Sequence, residues 1–257
     1  MKQITEALAP AKQQITQTEE TDQIKGHVSM SRALAMSAHN LTINEARVMM
    51  LACRSLDSTK TPRFYDPSSG YVKVKITIEE FAKIADIEKK NGKFPGAVYD
   101  GLKAGCNRIF ERRASWREGK KQIKLAWVWK ATYHDEEGWA EICFSPDITP
   151  HLLDLKNRFI TYRLELVKGL RSIYSANLLR LLMTQKNTKK LVITLEKFRE
   201  VMEIPESYRF ADINRYAIQV AIKELEKRSG LLIQCQLIKK GRSVHSLQFN
   251  FIDAPKS

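Results

Sequence analysis

No stretch of this 257-residue chain approaches the ~18–20 uninterrupted apolar residues that a membrane-spanning helix requires, and its opening, MKQITEALAPAKQQ, has no apolar segment of the secretory kind. A soluble cytoplasmic protein with no membrane partner is expected. Cysteine is scarce: Cys53, Cys106, Cys143 and Cys235 stand far apart among apolar neighbours, without a C-x-x-C pair or a nearby histidine cluster, and are read as reduced core residues. The five histidines (His27, His39, His134, His151, His245) form no H-x-H or H-E-x-x-H pair, which disfavours a metal-dependent nickase or hydrolase. Gly119-Lys120 is no phosphate loop, because Ala114 stands where the first glycine is needed and Lys121 replaces the Ser or Thr. No spacing of acids singles out a catalytic pair. The sequence therefore points to a protein that is not an enzyme and needs neither cofactor nor metal.

Positive charge is present in excess. The formal net charge is +14, and a chain this basic attracts polyanions. Residues 1–24 are net −2, residues 25–145 carry 21 bases against 14 acids, and residues 146–257 carry 20 against 11. Charge spread over two halves suits an extended surface lying along a long polyanion, where a basic tail would suggest a tether.

The order of elements repeats. Residues 1–24 have low hydrophobicity and no periodicity, and are expected to be a flexible tail. LTINEARVMMLACRSL is a capped helix, YVKVKI a strand, and Thr77 caps TIEEFAKIADI; FPGAVYDGLKAGCNRIFERR is a second helix with Val98, Leu102, Ile109 and Phe110 on one side, and two or three strands follow, joined by the turns REGKK and HDEEG. The second half gives GLRSIYSANLLRLLMTQ as a helix, KLVI as a strand, Thr194 capping TLEKFREVMEI, a long helix over 210–228 stopped by Gly230, and a hairpin over 231–251. This is the order of a winged helix, a helix-turn-helix extended by a β-hairpin. The expected fold is α+β with two tandem winged-helix domains, 25–145 and 146–257, the second opening with an apolar helical connector over 147–168. The twice-written T-[IL]-E-x-F helix would brace each projecting helix through Phe81, Ile84 and Ile87, and through Phe198, Val201 and Ile204.

Placed at ~100° per residue, the long helix gathers Ile213, Ala217, Ile218, Val220, Ala221 and Leu225 on one arc and leaves Arg215, Tyr216, Gln219 and Lys223 opposite, behind Arg209 at its front. Arg pairs with guanine, Gln with adenine, and Tyr or Lys with phosphates, so that face suits base readout. Lys239, Lys240 and Arg242 surround Gly241 at a hairpin tip and suit the backbone or minor groove. The first half offers Lys103 and Asn107 on its helix, with Arg117, Lys120, Lys121 and Lys124 at a hairpin.

LKNRFITYRL, IYSANLLRLLMTQ, IPESYRFADINR and IKKGRSVHSLQFNFID together resemble the iteron-binding replication initiators of plasmids such as the F factor, almost end to end in the second half. The resemblance implies that the C-terminal domain makes the main base contacts on double-stranded DNA at repeated origin sites and the N-terminal domain contacts adjoining DNA. It also implies a dimer that represses its own gene at an operator inverted repeat, and monomers that help to recruit a host initiator and replicative helicase. Where the family carries an arginine run, this chain has Asp212 followed by Ile213, Asn214, Arg215 and Tyr216; where it has Y-S-x-R-L-Y-E, this chain has Tyr174, Ser175, Ala176, Asn177, Leu178, Leu179 and Arg180. A tandem winged-helix repressor without an origin role is the alternative, and a rolling-circle nickase a more distant one.

Overall fold

The computed structural model describes residues 26–56, 65–66, 71–135, 137–153, 155 and 159–253, so the expected tail and most of the loop after Leu56 lie outside it. The elements run β1 (His27–Ser31), α1 (Arg32–Ala35), α2 (Ile43–Arg54), β2 (Tyr65–Asp66), β3 (Tyr71–Thr77), α3 (Ile78–Ala85), α4 (Gly96–Ile109), β4 (Arg113–Glu118), β5 (Lys121–Ala126), β6 (Val128–His134) and β7 (Trp139–Phe144). Then follow a 3-10 turn at Thr149–His151, β8 (Phe159–Arg163), a 3-10 turn at Leu164–Val167, α5 (Ile173–Met183), β9 (Lys190–Thr194), α6 (Leu195–Met202), the rod α7, β10 (Leu231–Lys240) and β11 (Ser243–Asp253). Rod α7 joins Phe210–Asp212, a π-helical turn at Ile213–Ile218, and Gln219–Ser229.

The repeated motif folds the same way twice. The Thr77 hydroxyl accepts the Glu80 amide while the Glu80 carboxylate accepts the Thr77 amide, so two orphan N–H groups of α3 are satisfied reciprocally. Thr194 caps α6 through the Lys197 amide at 3.2 Å. Phe81, Ile84, Phe198 and Val201 are fully buried, and Phe198 stacks on Phe249 at 5.8 Å. In each half the strand before the brace pairs antiparallel with the returning strand of the later hairpin: β3 with β7, from Lys73↔Cys143 to Thr77↔Trp139, and β9 with β11, from Ser246↔Thr194 to Asn250↔Lys190. The two larger sheets, β2-β3-β7-β6 and β10-β11-β9, each join a brace's strand to its hairpin, so the molecule has two tandem winged-helix units, with β1-β8 and β4-β5 as separate two-stranded sheets.

Several expectations are corrected. The connector over 147–168 is not an α-helix: its described part holds two 3-10 turns and β8, which pairs with β1 from His27↔Arg163 to Ser31↔Phe159. Phe-Ile-Thr-Tyr-Arg alternates with period two, burying Ile160 and Tyr162 and exposing Phe159 and Arg163, and β-branched and aromatic residues favour that pleat. Phe110 follows the end of α4 and is exposed, while Val98, Leu102, Cys106 and Ile109 form the buried stripe. The strands after α4 number four and make two separate hairpins.

Cys53, Cys106 and Cys143 are buried and Cys235 is half-buried, all as free thiols, and burial pushes Cys53 and Cys106 up to about 12. Helices α2 and α4 cross closely at Gly105, where a Cβ would stand 2.9 Å from Val48 Cγ2 and 3.3 Å from the Asn44 carbonyl oxygen. Gly105→Ala should therefore destabilise by about 1 kcal/mol in urea unfolding, because the crowding cost outweighs the ~1 kcal/mol that alanine gains in a helix. A gain in stability would show that the two helices part freely.

Candidate nucleic-acid interface

The turn that launches α7 is fixed before the helix begins. The Arg199 guanidinium donates to the carbonyls of Tyr208 (2.9 Å), Pro205 (3.0 Å) and Glu206 (3.1 Å), and Asp212 Oδ2 accepts the Arg209 amide at 3.0 Å. Arg209 is exposed at the helix front. Arg215, Tyr216, Gln219 and Lys223 are all exposed along the rod, opposite the buried Ile213, Ala217, Ile218, Ala221 and Leu225. Val220, expected inside, is exposed, and Ile222 is buried in its place. The π turn is the physical reason: its wider winding advances each residue by less than ~100°, so the downstream face lags and Val220 rotates out. The Arg215 guanidinium lies 5.3 Å over the Tyr216 ring, whose centroid is 6.0 Å from that of Tyr208. Two aromatic planes thus carry an arginine at the solvent face.

The hairpin β10–β11 turns at Gly241, with Lys239, Lys240 and Arg242 exposed around it. Its apolar alternation is deepest near the helix: Leu231, Ile233, Phe249 and Phe251 are buried, whereas Leu237 is exposed toward the tip. Among the described residues Arg215, Lys223, Lys239, Lys240 and Arg242 have no carboxylate partner, which leaves their charge for an external anion.

The first half is arranged differently. Lys103 is exposed on α4, but its ammonium donates to Asp135 at 2.6 Å, a bond that raises its pKa, and it lies 5.7 Å over the Tyr133 ring. Asn107 is exposed on the same helix. Arg117, Lys120, Lys121 and Lys124 are exposed on β4–β5, a two-stranded sheet of its own joined to residue 38 through the Ala38↔Ser115 bridge. The hairpin that returns to β3, and so occupies the place of β10–β11, is β6–β7, and its turn carries Asp135 and Glu137. Two consecutive hairpins with charged turns look alike in sequence, and only pairing with β3 tells them apart.

A cationic feature not anticipated is the turn between α3 and α4. Lys90 and Lys93 exchange backbone hydrogen bonds of 2.8 and 3.1 Å around Asn91 (φ 50°) and Gly92 (φ 77°), a two-residue hairpin turn with both central residues left-handed. Lys89, Lys90 and Lys93 are exposed on it, Lys89 packing 4.9 Å over Phe94. The Asn-Gly pair in KKNGK is the sequence signal that would have found it.

Helix α5 is held against the turn after α1 through buried polar contacts. Arg180 is 3 % exposed, and its Nη1 lies 2.5 Å from the Ala35 carbonyl, 3.0 Å from that of Ser37 and 3.3 Å from that of Leu34, while Nη2 donates to Asn177 Oδ1 at 3.1 Å. Burial pulls the guanidinium down to about 10, with the Glu203 carboxylate opposing. Beside it the buried His39 ring stands edge-on to Trp127, and burial and then Arg180 hold it well below the usual histidine range. Among the described residues no group of three or more His, Cys, Asp or Glu side chains is placed to hold a metal ion, and no helix is long and apolar enough to cross a membrane.

Comparison with known proteins adds the family. Residues 27–183 match the family model described as initiator replication protein, WH1, and residues 194–251 match that of initiator Rep protein, WH2. The fold is similar to that of the Pi initiator protein, solved in complex with iteron DNA, with a TM-score of 0.72 at 20% identity over 91% of this chain and 100% of that one. Weaker likenesses are to the WH1 domain of MSBI1.176, a replication protein isolated from a multiple sclerosis patient (TM-score 0.31, 22% identity, 43% of this chain and 78% of that one), and to domains 2 and 3 of RctB (TM-score 0.41, 11% identity, 70% and 73%). With its two winged-helix units matched in order by WH1 and WH2, the chain belongs to the Rep3 initiator replication proteins.

Proposed function

We propose that this chain starts plasmid replication in the cytoplasm by binding double-stranded DNA at repeated origin sites, the C-terminal unit reading bases and the N-terminal unit holding the neighbouring backbone. One observation carries the reading: α7 presents Arg215, Tyr216, Gln219 and Lys223 to solvent, beside a hairpin tip of uncompensated cations. Arginine and glutamine on one helical face match the donor and acceptor pattern of the major groove, and the tip matches phosphates. In the relative solved on iteron DNA the same fold is found on such a repeat, which favours the initiator over a plain repressor. Self-association, repression at an inverted repeat, and contacts with a host initiator and helicase belong to the same reading, and so does the absence of catalysis. Footprinting of the DNA flanking the gene tests it: protection of direct repeats is expected, and protection of a single inverted repeat alone would leave a repressor.

In the first half, α4 exposes Gly96, Ala97, Tyr99, Asp100, Lys103, Asn107 and Arg108, and Lys103 is already bound to Asp135. The grip on DNA there is assigned to Lys89, Lys90 and Lys93, together with Arg117, Lys120, Lys121 and Lys124. Replacing Lys89, Lys90 and Lys93 by glutamine should reduce the slope of log affinity against log salt by about 2–3 while leaving base preference unchanged. Titration of one repeat with its flanks at several salt concentrations checks this, and an unchanged slope would remove the turn from the interface.

A further inference from the structure

The two braces end on the same device. Asp86 and Glu203 occupy the same position of the repeated motif, each caps its helix in the left-handed conformation (φ 60°, ψ 50° and φ 56°, ψ 44°), and each carboxylate reaches into the opposite half of the chain. Glu203 Oε1 accepts the backbone amides of His39 at 2.5 Å and Asn40 at 2.7 Å. Asp86 Oδ2 accepts from Arg228 at 3.0 Å, near the end of α7, and Oδ1 lies 3.4 Å from the Lys168 ammonium. Around Asp86 the fit is close: the Gly169 amide donates to the Ile84 carbonyl at 2.8 Å, and a side chain at Gly169 would run into Arg228 and Asp86. Glu224, one turn before Arg228, accepts the amides of Arg171 and Ser172, so the end of α7 is tied at two levels.

We infer that Asp86 and Glu203 are positioning residues that hold the two winged-helix units at one fixed offset, and so set the spacing at which the chain contacts DNA with both. The inference rests on the DNA-binding reading above. Each brace end opens the segment that leads to its projecting helix (Ala85 to Gly96, Met202 to Phe210), so a tether there fixes the unit's orientation close to that helix. Two tethers with exchanged partners, each half holding the other, resist rotation about either one alone. A rigid two-unit protein has a high effective concentration of the second unit at the correct spacing and almost none elsewhere, whereas a loosened one binds the correct spacing less well and tolerates others.

The two acids differ in what they need. Both hydrogen-bond partners of Glu203 are neutral amides, so Glu203→Gln keeps a carbonyl acceptor and should preserve the offset, whereas Glu203→Ala should not. Both partners of Asp86 are cations, so Asp86→Asn should already loosen it.

The test uses the full chain and two duplexes, one with the footprinted repeat and its flanks and one with five base pairs, half a helical turn, inserted at the centre of the footprint. Wild type should lose about 100-fold in affinity on insertion; the Asp86→Asn/Glu203→Ala double variant should bind the natural duplex about tenfold more weakly and lose no more than about threefold on insertion. Glu203→Gln should follow wild type. A double variant as sensitive to insertion as wild type, a wild type that ignores insertion, or Glu203→Gln behaving as Glu203→Ala would each overturn the inference. If thermal unfolding shows the double variant to be unfolded, Asp86→Asn alone is read on the same duplexes with the same two deciding results. If wild type protects no DNA, the functional reading fails by itself, and amide hydrogen exchange decides the tether: Glu203→Ala but not Glu203→Gln should speed exchange at His39 and Asn40, and equal exchange in all three proteins would sink it.

Discussion

Arg180→Ala should unfold with a midpoint roughly 10 °C below that of the wild type, corresponding to a loss of about 3–5 kcal/mol in a chain of this size. The side chain is almost fully enclosed, and one guanidinium nitrogen serves the carbonyls of Leu34, Ala35 and Ser37. Alanine would leave the Ala35 and Ser37 carbonyls without that donor in a dry site, while Leu34 keeps the Ser37 amide and hydroxyl, and would open a cavity bordered by Met30, Met49 and Trp127. Arg180→Lys keeps a charge but not the fork that serves Asn177 at the same time, so it should recover less than half of the loss. A midpoint shift of only a few degrees for alanine would mean that water takes over the carbonyls. The same junction sets a pH dependence. His39 is held below the ordinary value of about 6.5, so the unfolded chain takes up its proton first; stability is full above that pH and falls as the pH drops through it. Burial acts on His151 in the same direction. Unfolding midpoints at pH 7.5 and 5.5 should therefore differ more in wild type than in His39→Gln.

The second large effect is expected in binding. Arg215→Ala should weaken the specific repeat by about 1–3 kcal/mol, roughly 5- to 150-fold, and relax discrimination at one base position, because a bidentate contact to guanine is lost. Lys240→Ala should weaken every sequence alike and flatten the salt dependence by about one charge. The contrast is the informative part. Tyr216 supports Arg215 from below at 5.3 Å, so Tyr216→Leu should reproduce part of the Arg215 defect while removing no charge. Titrations of matched and single-substituted repeats check both, and an unchanged affinity for Arg215→Ala would displace α7 from the groove.

Much of the fold was legible because it is written in local signals. Thr77 and Thr194 before apolar positions at helical spacing, and Gly230 after the last helical turn, mark ends that depend only on neighbours in sequence. The outward residues of α7 were also legible, since a 3.6-residue period separates Arg215 and Lys223 from Ile213 and Leu225. What was missed depends on partners far away. Strand β8 exists because β1, more than 130 residues earlier, completes it, and without that partner its apolar content reads as helix. The counterpart hairpin in the first half is decided by pairing with β3, not by the charge of its turn. Arg180 looks like a surface residue on an apolar helix until the carbonyls of residues 34–37 are brought over it. Val220 was misplaced by a constant angular step, which one wider turn is enough to break.

That wider turn has a consequence for how such a protein diversifies. Upstream and downstream of Ile213–Ile218 the rod runs in two different angular phases, locked to each other by a single surplus residue. Losing one residue there would restore ordinary winding and leave both flanking segments intact, with everything beyond Gln219 still in its present phase relative to Arg215, because the wide turn absorbs the ~100° of the one surplus residue. A one-codon deletion in the turn is thus a change that a lineage can absorb without turning Lys223 or the buried face of the rod, altering only the side chains that the turn itself offers.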